Sequence, residues 1–303
     1  MTKSVDSDTE VAGMSDSAAG VMAGSRYINS ARPFMRIAPP RGMMDLSLAE
    51  VWRYSSLLYF FVWRDIKIRY KQTVVGVLWA VLQPFLTMLV FTLFFGKLAH
   101  VPSGGLPYPI FYYSALLPWM YFSSALQGAT NTIVENQRVI TKVYFPRVLL
   151  PLAATVSGLV DFAASLMLFL GMMVFYGIRP SAALLLFPAF LLLGMLTALG
   201  VGLWLSALNA VYRDVRYVLP FLVQFWMFIS PVAYPSSLVP AKWQWVYALN
   251  PMTGVIDGFR WSLTGSGTPP GAMLVVSATA VVAILLGGIV FFQKMETTIV
   301  DVV

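Results

Sequence analysis

The chain has no cysteine and a single histidine, His100, among 303 residues. Disulfides, thiolate metal sites and thiol nucleophiles are thereby excluded, and one imidazole is too few for a histidine metal site. No G-x-x-x-x-G-K-[ST] phosphate loop occurs, so the chain carries no nucleotide-hydrolysing motif of its own. Carboxylates are sparse. A metal-dependent glycosyl or phosphoglycosyl transferase would need them clustered, and the one close pair of that look, Asp6 and Asp8, lies in a Ser/Ala/Gly-rich stretch. No metal site and no catalytic residue is expected. Charge of both signs is low: Asp, Glu, Lys and Arg make up 11% of the residues and hydrophobic types 58%. Mean hydropathy is +0.75. Soluble domains carry about 45–50% apolar residues, so this composition does not fit a soluble globule.

What is present is a set of six uncharged runs: 72–96, 98–134, 148–178 (interrupted by Asp161), 180–212, 217–241 and 261–293. A helix needs about 20 apolar residues to cross a hydrocarbon core about 30 Å thick. Each run is long enough, which predicts an all-α polytopic membrane protein with spans near 75–97, 110–132, 148–176, 181–208, 217–234 and 270–292. Sixteen of the twenty Lys and Arg residues then fall on the side of the termini and four (Lys97, Arg179, Lys242, Arg260) on the other. The positive-inside rule places both termini in the cytoplasm. With that distribution, the net charge of +7 argues for a membrane surface rather than nucleic acid.

Four parts are expected. Residues 1–44 read as a disordered cytoplasmic tail, without the basic start and apolar stretch of a secretory signal. Residues 45–73 read as an amphipathic interface helix, with Leu48, Val51, Trp52, Leu58, Tyr59, Val62, Trp63 and Ile66 at near-helical spacing among basic residues. This helix is either a simple anchor or a docking surface. Residues 74–295 form the six-span domain, and 296–303 a cytoplasmic C-terminus. Between spans five and six, 235–268 holds two apolar pieces too short to cross, split by Asn250-Pro251. They read as re-entrant or interfacial helices: an anchor with an aromatic belt of Trp243, Trp245, Tyr247 and Trp261, or a lid over an exit. In the fourth span, Gly194, Ala198, Gly202 and Ser206 recur every four residues, a groove for close helix packing.

Chemistry-bearing residues are few. Asp161 is the one acid deep in a span. It is either a hydrogen-bonded packing device with Ser157 and Ser165, or the sole support for an ion-coupled carrier. Aromatic residues reach 15%, and a ring stacks on the C–H face of a sugar without needing charge.

Four ordered stretches resemble the membrane subunit of type-2 ABC exporters, in particular the polysaccharide exporters. They are Arg64-Asp65-Ile66-Lys67-Ile68-Arg69-Tyr70-Lys71-Gln72-Thr73 running into Gly76, Trp79, Leu82, Gln83 and Pro84; Glu135-Asn136 through Lys142-Val143-Tyr144-Phe145-Pro146-Arg147; Tyr212-Arg213-Asp214-Val215-Arg216; and Asn250-Pro251-Met252. The resemblance covers about residues 46–295. It implies a homodimer, not itself an enzyme, joined to two copies of a cytoplasmic ABC ATPase that holds the ATP and Mg, with no cofactor on this chain. It implies export of a lipid-linked polysaccharide such as O-antigen, capsule or teichoic acid. Arg64, Asp65, Lys67, Arg69, Glu135, Arg138, Lys142, Tyr144 and Arg147 would receive the ATPase's movement. Trp79, Phe85, Phe91, Phe94, Phe221, Phe225, Phe228 and Tyr234, on spans one and five, would line the conduit. Trp243, Trp245, Asn250, Pro251 and Trp261 would form an outer gate. A type-2 exporter of a small molecule or lipid, and a membrane enzyme of cell-envelope assembly, are the alternatives.

Overall fold

The computed structural model describes residues 52–71, 76–179, 182–267, 269 and 271–302; the tail 1–44 and the first residues of the interface helix lie outside this set. Among the described residues the chain is wholly helical. In order, the helices are α1 (Ser55–Tyr70), α2 (Gly76–Phe91) continued by a π-helical segment (Thr92–Leu98), α3 (Tyr108–Glu135), the single turn α4 (Gln137–Ile140), α5 (Leu149–Ser157), α6 (Leu159–Phe175), α7 (Phe187–Val211), α8 (Val215–Ile229), α9 (Ala241–Ala248), α10 (Pro251–Thr264) and α11 (Ala272–Val302).

Four helical stretches are long and apolar enough to cross a membrane: Leu78–Leu98, Leu149–Phe175, Ala182–Val211 and Ala272–Glu296. The helices at the other two expected spans differ from these, each for a physical reason. α3 is 28 residues long and, though largely apolar, carries a scatter of Ser, Thr, Asn and Gln residues, and most of it is buried inside the bundle. Its Ser114, Thr130 and Thr132 are buried in protein: Thr130 Oγ1 donates to the Leu126 carbonyl at 2.8 Å, and Asn209 Nδ2 of α7 donates to the Thr130 carbonyl at 3.0 Å. α8 has 15 residues and stops at Ile229, short of the expected 234. Ser230 is already extended, its hydroxyl donating to the Trp226 carbonyl at 2.9 Å. Pro231, which has no N–H, cannot continue the ladder.

α3 is the centre. α7 and α11 form the longest pair, and α7 packs along α3 on its other side. The four-residue stripe on α7 works as its spacing predicts: Gly194, Ala198, Gly202 and Ser206 are all buried, Gly202 against Ala129 of α3 and Gly194 against Val255 of α10. At the α7–α11 crossing, a methyl on Gly288 would lie 2.6 Å from the Gly200 carbonyl oxygen, and one on Gly200 would lie 3.0 Å from the Leu285 Cα. Backbone cannot yield as a side chain does, so Gly288→Ala is expected to cost about 1–3 kcal/mol, read by unfolding in detergent. A silent substitution would show that the helices do not approach this closely.

α1 meets the protein with only part of its expected apolar side: Leu58 and Val62 pack against the core and Ile66 is half-buried. Of the residues grouped as its apolar side, Trp52, Tyr59 and Trp63 are exposed, while the buried anchor is Phe61, whose ring meets Phe145 at 5.3 Å. α1 runs along α5. Its contact face is therefore set by α5 and by the loop before it rather than by its own periodicity alone.

Candidate functional site

A cavity of about 680 Å³ is a cleft between α2, α3 and α6 with the end of α1 at its rim. Pro84 shapes one wall. Lacking an N–H, it leaves the Ala80 carbonyl one turn back without its helical partner. Ser165 of α6 supplies it, Oγ to Ala80 O at 3.1 Å, and so ties α2 to α6. On the α3 wall, Tyr121 donates to the Thr155 carbonyl at 3.1 Å, close to Gly158, where α5 gives way to α6. The remaining lining is neutral and hydrogen-bonding (Gln83, Ser123, Ser124, Gln127), aromatic (Trp79, Tyr121, Phe162) or aliphatic (Leu117, Met120).

The one charged feature of the cleft is an ion pair. Arg69 and Tyr70, the last two residues of α1, donate to the two oxygens of Asp161: Arg69 Nη1 to Oδ2 and Tyr70 Oη to Oδ1. Asp161 is thus a linking group, but its partners are not the serines a turn away. Ser157 donates to the Ala154 carbonyl and Ser165 to Ala80. Burial, then the Asp161 carboxylate, pushes the Tyr70 phenol well above its usual value, so it stays a donor.

The residues expected to couple to an ATPase separate into two groups. Arg64 binds Asp65 Oδ1 through two nitrogens, at 3.0 and 2.8 Å, and donates to Asn136 Oδ1 at 2.6 Å. Glu135 lies within electrostatic reach of Asp65 and Arg64, so α1 and the end of α3 meet here. Lys67 sits over the Trp63 ring at 5.6 Å. Arg147 faces inward, donating to the Glu296 backbone carbonyl at 2.7 Å with the Glu296 carboxylate 3.6 Å away. Arg138, Lys142 and Tyr144 are exposed. Lys142, Tyr144 and Arg147 border a shallow hollow of about 210 Å³.

The aromatic set also divides. Trp79 lines the cleft. Phe91 is core, meeting Phe95 at 5.2 Å and Tyr112 at 5.9 Å, and Phe85 packs against the core half-buried. Phe94 is exposed, as are Phe221, Phe225 and Phe228 along one side of α8. Tyr234 accepts from the Tyr247 hydroxyl at 3.2 Å and reaches back to the carbonyls of Phe228 and Ile229. The cleft residues Ser123, Ser124 and Gln127 carry no charge to mark them, yet their spacing on one face of an otherwise apolar helix was a readable signal.

The segment between α8 and α11 is no free flap. Asn250 caps α10, its Oδ1 accepting from Met252 N at 3.1 Å and from Trp226 Nε1 at 2.9 Å while its Nδ2 donates to Ser230 Oγ at 2.9 Å. Pro251 at the first turn fits that start, and Gly265 at φ 66° supplies the left-handed stop. Nearly every residue of α10 is buried and Trp261 is half-buried, whereas Trp243 and Trp245 on α9 are exposed. Sequence reasoning counted Arg260 only as an outer charge. It is 6% exposed, with its guanidinium 4.0 Å from the Phe111 ring centroid, 2.9 Å from the Pro231 carbonyl and 3.5 Å from Asp257. The i, i+3 spacing of Asp257 and Arg260 within an apolar piece was the available hint.

With this geometry in place, the ABC-2 type transporter family matches residues 56–264. The O-antigen export system permease protein RfbA of Myxococcus xanthus is 31% identical over 252 residues, 82% of this chain and 95% of that protein. A Klebsiella pneumoniae protein of the same name is 26% identical over 67% of this chain and 78% of its own. The polysialic acid transport protein KpsM of Escherichia coli is 24% identical over 77% of this chain and 91% of its own. By the extent of the family match and the similarity to these relatives, the chain belongs to the ABC-2 type transporter family of membrane proteins.

Proposed function

We propose that this chain is the membrane subunit of an ATP-driven exporter that moves a lipid-linked polysaccharide, O-antigen-like or capsule-like, from the cytoplasm across the bacterial inner membrane. The observation that carries this reading is the similarity, across most of the chain, to relatives named for O-antigen export and polysialic acid transport. The cleft supports it. A volume of about 680 Å³ falls within the ~300–1,000 Å³ of small-ligand sites. Its aromatic faces and neutral amide and hydroxyl groups suit uncharged sugar rings.

In this reading there are six crossings: α2, α3, α5 with α6, α7, α8 and α11. α3 is tolerated in the bilayer because its polar groups are satisfied by protein rather than exposed to lipid. An even number leaves both termini in the cytoplasm, in line with the sixteen-to-four split of basic residues. A chain without a phosphate loop needs its energy from elsewhere. A homodimer with two ATPase subunits, each holding ATP and Mg, meets that need. Arg138, Lys142 and Tyr144 are the exposed contacts for it, while Arg64, Asp65 and Glu135 pass the movement to the end of α3.

The cleft would also admit a whole small molecule, which is the second reading. Co-expression with an ABC ATPase subunit is expected to give a stable complex in detergent, whose ATP hydrolysis rises with lipid-linked saccharide. A complex stimulated only by small molecules would favour the second reading, and transport by the isolated chain without ATP would defeat both.

A further inference from the structure

We infer that the junction of Arg69 and Tyr70 with Asp161 is a latch that fixes one wall of the cleft, so that movement of α1 reaches the sugar-binding space by making and breaking it. The inference rests on the proposed function and assigns the regulation of that same cleft.

Two kinds of anchor hold α1. Midway along it the contacts are ring against ring, Phe61 on Phe145 at 5.3 Å, beside Arg64 on Asn136 at 2.6 Å. These tie it to the loop before α5 and to the end of α3. At its tip the contact is ionic and made by two adjacent residues, each donating to a different oxygen of one carboxylate. Arg69 and Asp161 both line the cleft, so the tip forms part of its wall. Asp161 stands in the first turn of α6, three residues after Gly158, where α5 ends. A push on the loop that carries Phe145 is therefore delivered to the middle of α1 and carried by its tip to the cleft.

The chemistry makes the tip the weaker anchor. An apolar ring contact is lost only by exposing its surface, whereas a partly exposed ion pair exchanges partners at small cost. With Arg69 withdrawn, the partly buried Asp161 carboxylate faces the cleft with fewer donors, which leaves it open to another. The hydroxyl groups of a sugar are donors of the right kind to replace Arg69 and Tyr70. Sugar binding and latch release then favour each other, and by linkage the effect runs both ways.

The absence of cysteine allows a direct test. Spin labels on cysteines introduced at Ile68 and Met167, exposed positions on α1 and α6, report the distance across the junction in the full chain bound to its ATPase. The unaltered junction is expected to give one narrow distance distribution. Asp161→Asn and Arg69→Ala are expected to broaden it, Tyr70→Phe to broaden it less, and the exchange Arg69→Asp with Asp161→Arg to narrow it again. A control pair at Leu192 and Met167 should stay narrow throughout if the bundle is intact. In the same variants, polymer exported per ATP hydrolysed should fall by about tenfold for the single changes and return to within about threefold in the exchange, the size of a coupled ion pair. An unaltered distribution in Asp161→Asn, or an exchange variant as broad as the single ones, overturns the latch. Failure of the unaltered complex to move polysaccharide defeats the proposed function instead, since the distance measurement needs no substrate.

Discussion

Arg260→Ala is expected to destabilise the solubilised protein by about 3–5 kcal/mol, the cost of breaking a buried, hydrogen-bonded charge pair from one side. The substitution removes the guanidinium from the Phe111 face and from the Pro231 carbonyl, and leaves Asp257 without its counter-charge. Those contacts join three elements: α10, the chain just past α8, and the start of α3. Arg260→Lys keeps the charge but lacks the planar group that stacks on a ring while donating sideways, so an intermediate loss is expected. Converting the pair to apolar residues together, Arg260→Met with Asp257→Leu, should recover most of the loss, because a well-packed apolar replacement of a buried pair is often neutral. Chemical unfolding in detergent measures all three. An Arg260→Ala protein as stable as the unaltered one would show that the segment between α8 and α11 is held by packing alone.

Ser124→Trp is expected to lower export at least about a hundredfold, equivalent to raising the transport barrier by roughly 2.7 kcal/mol, with the fold intact. Ser124 is exposed in the cleft wall opposite Trp79 and Gln83 of α2. An indole there has space to occupy without displacing core, and it fills room that a sugar would need. The readout is polymer reaching the far side, compared with unfolding of the same preparation. Export at the unaltered rate with a tryptophan in place would remove the cleft from the transport path.

How much of this was legible can be judged residue by residue. The six uncharged runs each contain a helix near the expected position, because burying charge in lipid is costly and the sequence must show its avoidance. The end of the fifth expected span was misplaced by five residues: composition reads 230–234 as apolar, and only the hydrogen bond from Ser230 to Trp226 and the Pro231 stop reveal the break. Arg64-Asp65 and Glu135-Asn136 were visible as separate motifs. Their meeting was not, since contacts between residues some seventy apart depend on how α1 lies along α5. The same holds for Asp161, whose partners Arg69 and Tyr70 are more than ninety residues away. Aromatic positions were the least legible. Periodicity places Phe91 and Phe94 on a helix but does not say which side meets protein, and they fall in the core and on the surface respectively. Arg260 was hidden because a single cation near an expected membrane edge looks solvated until its surroundings are known.

The central claim is that the chain conducts polysaccharide only when driven by a nucleotide-hydrolysing partner. Reconstitution of the chain with its ATPase in vesicles, followed by measurement of lipid-linked saccharide reaching the opposite leaflet, tests it most directly. The account predicts translocation that requires ATP and both subunits, and none with the chain alone. Movement of the saccharide by this chain without nucleotide or partner would contradict it.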